Sequence, residues 1–476
     1  MLVKHGSMYL LAKVIPAILS LATLTIFTRM LSPSEYGLYS LTVLVSGMVN
    51  AVLLQWIVLG VGRYLPDCKS RYEADRLLST ARSLSALVAL IILCFVVSTF
   101  KIVESDEYVF AYVVAGFMCS AQAFYDLNLK VQNANLNPIN YAKLLAIKSL
   151  LAFSLGVLAI YFGFGAEGAL IAVVVSFAIP SLVGYRSWSG VPCFTLDREV
   201  MLLFFRYGAP LTIAFFLVYI INSSGRFFIE RMMGLDAVGV YSAAYELAQY
   251  SIGAMTTVVH LAAFPLIVAG LSKNGVEYAK VQLRKSFIAI LSITMPAAVG
   301  LAIISPNIAK ALMGAGFGEA EYIIPWFALG VFLNALKAFY FDYSFQLASA
   351  MRPYLITVAA PAILNIVLNF HLIPVYGLEG AAISMAAAFA VGLVLSMALG
   401  RKFFEMPIIW WSEVFKVCIA TGAMFILVNF SSFNDELTGL ILKILVGGGG
   451  YLMFLFLFNF IGGRDSFLRF LNKLAS

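Results

Sequence analysis

Long apolar runs alternate with short polar segments along almost the whole chain. The runs are about 20 residues long, which is the length that an α-helix needs to cross a hydrocarbon layer of about 30 Å. A membrane-spanning β-strand would instead alternate apolar and polar residues over about 10 positions. Polar residues interrupt the eighth and tenth runs. The pattern predicts about fourteen transmembrane helices, at about 8–28, 38–59, 78–100, 108–126, 142–162, 167–186, 205–225, 238–260, 286–304, 322–348, 354–374, 378–400, 413–431 and 438–461.

The composition supports a membrane protein. Of the 476 residues, 62% are hydrophobic and 12% are charged, whereas soluble domains hold about 45–50% apolar and about 25% charged residues. Most of the surface must therefore face lipid, and we predict an all-α polytopic membrane protein. The run from Lys13 to Phe27 is too long for the apolar part of a signal peptide and ends in Arg29, so we interpret it as the first spanning helix.

The basic residues indicate the orientation. About 24 of the 31 Lys and Arg residues fall on the side of the N-terminus and about six on the opposite side, as the positive-inside rule requires if both termini are cytoplasmic. This asymmetry accounts for most of the net charge of +7. The longest outer turn, at about 305–321, is too short to fold as a domain. We therefore expect a multi-pass protein of the cytoplasmic (inner) membrane without an extracellular catalytic domain.

Two internal repeats indicate a duplication. Arg29 to Ser40 reads RMLSPSEYGLYS and Arg231 to Ser242 reads RMMGLDAVGVYS, about 200 residues later. A second pair, GAEGALI from Gly165 and GLEGAAI from Gly377, lies about 210 residues apart. A repeat of about 200 residues with six helices has an even helix number, so both copies enter the membrane from the same side. We predict parallel six-helix lobes at 1–200 and 201–402, followed by two additional transmembrane helices at 403–476.

Catalytic and cofactor chemistry has no signal in the sequence. A phosphate-binding glycine loop followed by Lys and Ser or Thr is absent, and His5, His260 and His371 are scattered without metal-ligand spacing. We expect no catalytic residue, no metal, no cofactor and no nucleic-acid partner, and we classify the protein as a non-enzyme.

Ionisable residues at membrane depth are the remaining candidates, because each costs about 2.5–3.5 kcal/mol at a helix centre. Arg29 and Arg231 occupy equivalent places at the outer ends of helices one and seven. They either snorkel to the interface and tie a short turn, or they bind an anionic substrate. Arg226 lies one to two turns deeper than Arg231, which favours binding.

Three further groups lie within apolar runs. Lys337 and Asp342 are five positions apart, which separates them by about 140° on an α-helix. We therefore do not expect a simple helical ion pair, and at least one of the two should face a cavity or another helix. Glu246 either binds a cation or neutralises a nearby Arg, whereas Asp126, near the inner interface, is interpreted as structural.

These residues resemble those of a known family. The run from Phe27 to Ser40, the cationic N-terminus, the two six-helix repeats and the two extra helices are similar to the polysaccharide transporter family. Its members are flippases of lipid-linked oligosaccharides, such as the O-antigen units of lipopolysaccharide, within the multidrug/oligosaccharidyl-lipid/polysaccharide exporter (MOP) superfamily. The resemblance extends over the whole chain.

The resemblance implies a V-shaped, MATE-like pair of lobes around a cationic cavity. An undecaprenyl-diphosphate-linked oligosaccharide would move from the inner to the outer leaflet by alternating access, for surface polysaccharide biosynthesis. Membrane lipids, H⁺ or Na⁺, and glycan-assembly proteins are the implied partners. Arg29 matches the family's Arg after helix one, and the other candidates are chosen by depth. The candidate diphosphate or glycan ligands are Arg29, Arg226, Arg231 and Lys337, and the candidate ion-coupling sites are Glu246 and Asp342.

Two alternatives differ in class. An ion-coupled drug or small-molecule exporter of the same superfamily would need an acidic or aromatic cavity for cationic cargo, and Arg226 and Lys337 argue against it. A membrane-embedded glycan polymerase or ligase usually needs a sizeable outer loop, which this chain does not have.

Overall fold

The computed structural model describes residues 2–102, 106–185, 195–407, 409–431, 433 and 437–462. Within these ranges every regular element is helical. The chain divides into two compact units, Met1–Ser242 and Ala243–Ser476. Four of the basic residues counted on the predicted cytoplasmic side lie outside the described residues: Arg186, Arg464, Arg469 and Lys473.

The helices follow one another with short connections. In the first unit they are α1 (Leu2–Met30), α2 (Pro33–Leu53), α3 (Gln55–Tyr64), α4 (Arg71–Thr99), α5 (Asp106–Ala134), α6 (Pro138–Tyr161), α7 (Gly165–Tyr185), α8 (Arg198–Met233) and the start of α9 (Leu235–Ala248). In the second unit they are α10 (Ala254–Asn274), α11 (Val276–Ile303), α12 (Ser305–Leu312), α13 (Ala320–Leu336), α14 (Tyr343–Leu347), α15 (Met351–Gly400), α16 (Trp411–Asn429) and α17 (Leu437–Leu457). Two π-helical turns, Gln249–Gly253 and Lys337–Phe341, join α9 to α10 and α13 to α14.

Thirteen helical stretches of the described chain are long and apolar enough to cross a membrane. The longest, α15, has 50 residues, or roughly 75 Å at 1.5 Å per residue, which is more than twice the hydrocarbon thickness. Gly377 breaks it with a φ of 55°, so that α15 contains both predicted segments, 354–374 and 378–400. The predicted all-α polytopic fold class is confirmed.

The second sequence repeat marks the same turn in each unit. Gly165 has a φ of 51° and Gly377 a φ of 55°, a left-handed conformation that glycine adopts without steric cost. Three residues later the chain folds back closely, since a methyl group on Gly380 would lie 2.3 Å from the Leu372 carbonyl oxygen. The repeated glycines therefore permit a tight turn between consecutive spanning segments.

The first sequence repeat forms a packing contact within the first unit. Ser40 Oγ donates a hydrogen bond of 2.9 Å to Ser242 Oγ, and both residues are buried. A methyl group on Gly37 would lie 2.2 Å from a carbonyl oxygen of α9, and one on Gly239 would lie 2.0 Å from a carbonyl oxygen at the start of α2. The glycines shared by the two copies thus allow α2 and α9 to cross at backbone contact.

The two copies start their helices with different chemistry. In the first copy Ser32 and Glu35 form a capping box, in which Ser32 Oγ accepts from Glu35 N (3.2 Å) and the Glu35 carboxylate accepts from Ser32 N (2.9 Å). Pro33 occupies the first helical turn, where its missing N–H costs nothing. In the second copy Gly234, with a φ of 85°, ends α8 and lets α9 begin at once.

An ion-pair cluster anchors the start of α8 to α4. The Arg76 guanidinium donates to Asp197 and, at 2.7 Å, to Glu199. The Asp197 carboxylate also caps α8 by accepting from the Glu199 and Val200 amides at 2.9 and 3.2 Å. The hydrogen bond from Arg76 holds the pKa of Asp197 below its ordinary value. The segment that joins the two predicted repeats is therefore fixed at its downstream end.

We expect Gly37→Ala to destabilise the protein, because the added methyl group meets backbone atoms that have no rotamer with which to avoid it. Overpacking of this kind costs about 1–3 kcal/mol. The measurement is the thermal unfolding midpoint of the purified protein in one detergent. The control is Gly448→Ala in α17, where the new methyl group meets nothing within 4 Å and alanine favours the helix by up to about 1 kcal/mol. Equal midpoints for the two variants would contradict the close crossing.

Candidate functional site

Four polar side chains of the first unit lie on three helices that are long and apolar enough to span a membrane. Asp126 lies on α5, Lys148 on α6, and Tyr219 and Arg226 on α8. Lys148 is within electrostatic range of Asp126, and Tyr219 is within range of both Asp126 and Arg226. We call these four residues the polar cluster. It places Arg226, a predicted ligand, and Asp126, which the sequence analysis interprets as structural, within electrostatic range of the same tyrosine, Tyr219.

Water-accessible space reaches the acidic member of this cluster. Asp126 and Lys148 are half-buried, whereas Arg226 is only 4% exposed. A cavity of about 260 Å³ touches Asp126. Its other lining residues are Gln55, Val58, Leu129, Lys130, Asn133 and Tyr141. The cluster therefore adjoins a cavity through its carboxylate, and a cavity that admits water reduces the cost of holding a charge on a membrane-spanning helix.

Helical spacing places the polar residues of α5 on one face. Gln122, Asp126 and Lys130 follow one another at intervals of four residues, so their side chains line the same stripe of the helix. Gln122 Nε2 donates to the Asp126 carboxylate at 3.4 Å. Lys130 packs over Gly62, where a methyl group would lie 2.0 Å from the lysine Cε atom. This four-residue spacing is visible in the sequence and indicates a polar face on α5, which is not apparent when Asp126 is considered alone.

Cations outnumber acids among the residues of the polar cluster and its cavity. Lys130, Lys148 and Arg226 stand against the single carboxylate of Asp126 in the cluster and its cavity. Ammonium and guanidinium groups in a partly desolvated site attract phosphate and carboxylate oxygens strongly. The arrangement is suited to an anionic ligand.

Lys148 is a functional candidate that the sequence analysis missed. The charge pattern of the sequence assigns Lys130, Lys143 and Lys148 alike to the predicted cytoplasmic side. Lys148 lies ten residues after the start of α6 at Pro138, or roughly 15 Å along the helix, and its Nζ atom lies 4.9 Å from the centre of the Phe177 ring. The apolar residues on both sides of Lys148 were the available signal.

The outer candidates have a different environment. Arg29 and Arg231 are exposed and lie in the last turns of α1 and α8, where a cation interacts favourably with the helix dipole. This geometry fits the interpretation that they anchor a turn, and their contact with substrate remains a prediction. Glu246, on α9, is half-buried.

In the second unit, Lys337 and Asp342 form a buried ion pair. Lys337 Nζ donates to Asp342 Oδ2 at 2.7 Å, and Ser396 Oγ on α15 donates to Asp342 Oδ1 at 2.7 Å. The two charged side chains are only 7% and 3% exposed. The ammonium group lies 5.7 Å from the centre of the Tyr354 ring, and the lysine stem packs on Gly392. Residues of the second unit thus surround the ion pair.

The expectation that Lys337 and Asp342 would not pair within their own helix is wrong, because the chain there is not an α-helix. Residues Lys337–Phe341 form a π-helical turn, in which Asp342 N donates to Lys337 O at 2.9 Å. This i→i+5 hydrogen bond brings side chains five positions apart onto one face. The accompanying expectation, that one of the two would meet another helix, is met by Asp342 and Ser396.

Both π-helical turns fall in the apolar runs that polar residues interrupt. The first, Gln249–Gly253, follows Glu246, and the second begins at Lys337. Such turns are rare and occur frequently at functional sites. Within the described ranges, no group of three or more His, Cys, Asp or Glu residues is placed to hold a metal ion.

Sequence comparisons identify relatives in glycan biosynthesis. The model of a family described as "Polysaccharide biosynthesis protein" matches residues 26–322. The "Probable low-salt glycan biosynthesis flippase Agl15" of Haloferax volcanii is 26% identical over 253 residues, which are 48% of this chain and 51% of that protein. The chain therefore spans about half the length of the curated relative that it matches.

Solved structures of transporters share the fold. The lipid II flippase MurJ in an inward closed conformation aligns with a TM-score of 0.79 at 16% identity, over 96% of this chain and 99% of that chain. An inward-facing multidrug resistance MATE family transporter of the MOP superfamily aligns with a TM-score of 0.65 at 16% identity, over 83% and 97%. A MOP superfamily transporter from Pyrococcus furiosus gives 0.62 at 15% identity, over 84% and 95%.

At these identities the structural matches establish the fold and no more, so the predicted MATE-like fold class is confirmed. The family match covers more than half of the chain, and it agrees with the resemblance found in the sequence. The chain belongs to the polysaccharide biosynthesis protein family.

Proposed function

We propose that this protein is a flippase that carries a lipid-linked oligosaccharide across the membrane for polysaccharide biosynthesis. The single observation that carries the proposal is the excess of cations among the residues of the polar cluster and its cavity in the first unit, where Lys130, Lys148 and Arg226 are grouped with one carboxylate, Asp126. Family membership and the glycan flippase among its relatives support the same function. The protein acts as a transporter and not as a catalyst.

The anionic group that suits these cations is a diphosphate. A lipid-linked glycan has an apolar tail that remains in the bilayer, whereas its phosphates and sugars need a polar route. Arg offers paired donors to phosphate oxygens and Lys a compact charge. In the finer form of the proposal, the carrier is undecaprenyl diphosphate, the glycan is a surface polysaccharide unit such as O-antigen, and transfer runs from the inner to the outer leaflet of the cytoplasmic membrane, with both termini cytoplasmic.

The candidate ligands divide by depth. Arg226 and Lys148 bind the diphosphate in the interior, and Arg29 and Arg231 contact it near the exit. A drug exporter of the same fold is disfavoured, because cationic cargo would be repelled by the same interior lysines and arginine.

The Lys337–Asp342 pair is the proposed coupling element. A cation that binds the Asp342 carboxylate, whether H⁺ or Na⁺, competes with the Lys337 ammonium group, which sits 2.7 Å away. Ion binding therefore releases the charge of Lys337, which can then contribute to holding the anionic substrate. Glu246 is a second coupling candidate, because it precedes the other π-helical turn.

We expect Lys148→Gln and Arg226→Gln each to lower the initial flipping rate by about tenfold or more. A hydrogen bond to a charged group is worth about 1.5–3 kcal/mol, and every 1.4 kcal/mol is about tenfold. The assay uses proteoliposomes with a fluorescent polyprenyl-diphosphate disaccharide and measures its protection from an impermeant reductant.

The matched control is Lys143→Gln, which removes the same charge from an exposed position of the same helix and should leave the rate unchanged. Thermal midpoints of all variants report on folding. Wild-type flipping rates for both Lys148→Gln and Arg226→Gln would contradict the proposal that these cations bind the substrate.

We expect Lys337→Met to lose stability, because removing one partner of a buried ion pair costs about 3–5 kcal/mol. The double variant Lys337→Met with Asp342→Asn removes both charges and should recover most of the thermal midpoint. If the pair couples transport to an ion gradient, the double variant folds but its flipping rate no longer responds to an imposed H⁺ or Na⁺ gradient.

An exposed pair provides the control. Arg63 and Asp67 form a 2.8 Å ion pair with side chains 51% and 63% exposed, and their neutralisation should leave the gradient response intact. A double variant of Lys337 and Asp342 that retains the wild-type gradient response would limit the pair to a structural role.

A further inference from the structure

Two adjoining cavities open where α11 begins and where the segment between α15 and α16 runs. The smaller, of about 230 Å³, is lined by Glu277, Lys280, Val281, Arg284, Glu405, Met406 and Pro407. The larger, of about 420 Å³, shares the last three of these residues. Both lie in the second unit, at the end predicted to be cytoplasmic, and neither contains a residue that the proposed function uses as a ligand.

Arg284 is a fixed cation in the smaller cavity. Its guanidinium carbon lies 5.1 Å from the centre of the Trp410 ring, which holds the group by a cation–π interaction. Its Nε atom is buried without a hydrogen-bond partner. Across the described part of the chain, no carboxylate lies within ion-pair distance of Arg284. A buried guanidinium nitrogen of this kind calls for an acceptor.

The acidic residues of the cavity wall are already engaged. Lys280 Nζ lies 2.7 Å from the Glu405 carboxylate and 3.2 Å from that of Glu277. The hydrogen bond from Lys280 holds the pKa of Glu405 below its ordinary value, so the pair stays charged and closed on itself. The charge of Arg284 is therefore left for a ligand, and Arg401 on the rim of the larger cavity adds a second cation.

The surroundings favour an amphiphilic ligand over a free anion. The larger cavity is walled mainly by apolar and aromatic side chains, including Tyr340, Phe341 and Met397. Beside it Trp411 and Phe415 are 71% and 67% exposed, as is typical of aromatic residues at a membrane interface. An anionic headgroup beside the guanidinium would leave its acyl chains against this aromatic surface.

We propose that Arg284, held by Trp410, binds the phosphate of an anionic phospholipid from the adjacent leaflet. A guanidinium stacked on an aromatic face keeps its N–H edge free for bidentate contact with phosphate oxygens. Basic pockets between spanning helices on the cytoplasmic side are a general means of recognising anionic headgroups. This site is independent of the transported substrate, and it would make the state of the second unit sensitive to lipid composition.

The test is native mass spectrometry of the full-length protein in detergent with added phosphatidylglycerol, compared with phosphatidylcholine of the same chain length. We expect retention of phosphatidylglycerol over phosphatidylcholine, and an apparent affinity about tenfold weaker in Arg284→Gln, since a charge-assisted contact is lost. Lys285→Gln is the matched control, because it removes the same charge from the next, exposed position of α11 and should bind like the wild type.

Two further arms keep the proposal open to refutation. Trp410→Leu retains the charge of Arg284 but removes the aromatic ring that holds it, and it should also weaken phosphatidylglycerol binding. This variant provides the test in case Arg284→Gln does not fold. Inorganic phosphate and pyrophosphate are added separately. Equal phosphatidylglycerol binding by the wild type and both variants would overturn the site, and displacement of the lipid by millimolar inorganic phosphate would overturn its assignment to a phospholipid.

Discussion

A charge held inside a membrane protein must be offset by another charge, a dipole or a water-filled space, because hydrocarbon offers none of these. The two units of this protein meet that constraint differently. In the second unit Lys337 and Asp342 neutralise each other within 2.7 Å. In the first unit Lys148 lies within electrostatic range of Asp126, and a cavity of about 260 Å³ touches that carboxylate.

These two solutions have different consequences for function. A closed ion pair has no remaining affinity for an anion until another cation replaces the lysine, so it is suited to respond to an ion. A group of cations beside an accessible cavity attracts an anion directly. Under the proposed function the first unit supplies binding and the second supplies the switch.

The sequence predicted the helices well because a spanning segment must be apolar over its whole length, and that signal is strong. The kink in α15 could be anticipated as two segments, since Gly377 repeats the place of Gly165. The pairing of Lys337 with Asp342 could not be predicted, because a π-helical turn changes which residues share a face and has no reliable signature in a single sequence. Lys148 was overlooked for another reason: a lysine near a segment end looks like an interfacial charge unless its apolar neighbours on both sides are counted.

The repeated pattern that begins at Arg29 and at Arg231 contains some residues that contacts in the fold require and others that they do not. The caps have diverged, because a capping box and a left-handed glycine both satisfy a helix terminus. Gly37 and Gly239 have no such substitute, since any side chain there would meet a carbonyl oxygen at 2.0–2.2 Å. Ser40 and Ser242 are held by their mutual hydrogen bond. Arg29 and Arg231 are exposed in the last turns of α1 and α8, where a cation interacts favourably with the helix dipole, and their contact with an anionic headgroup remains a prediction.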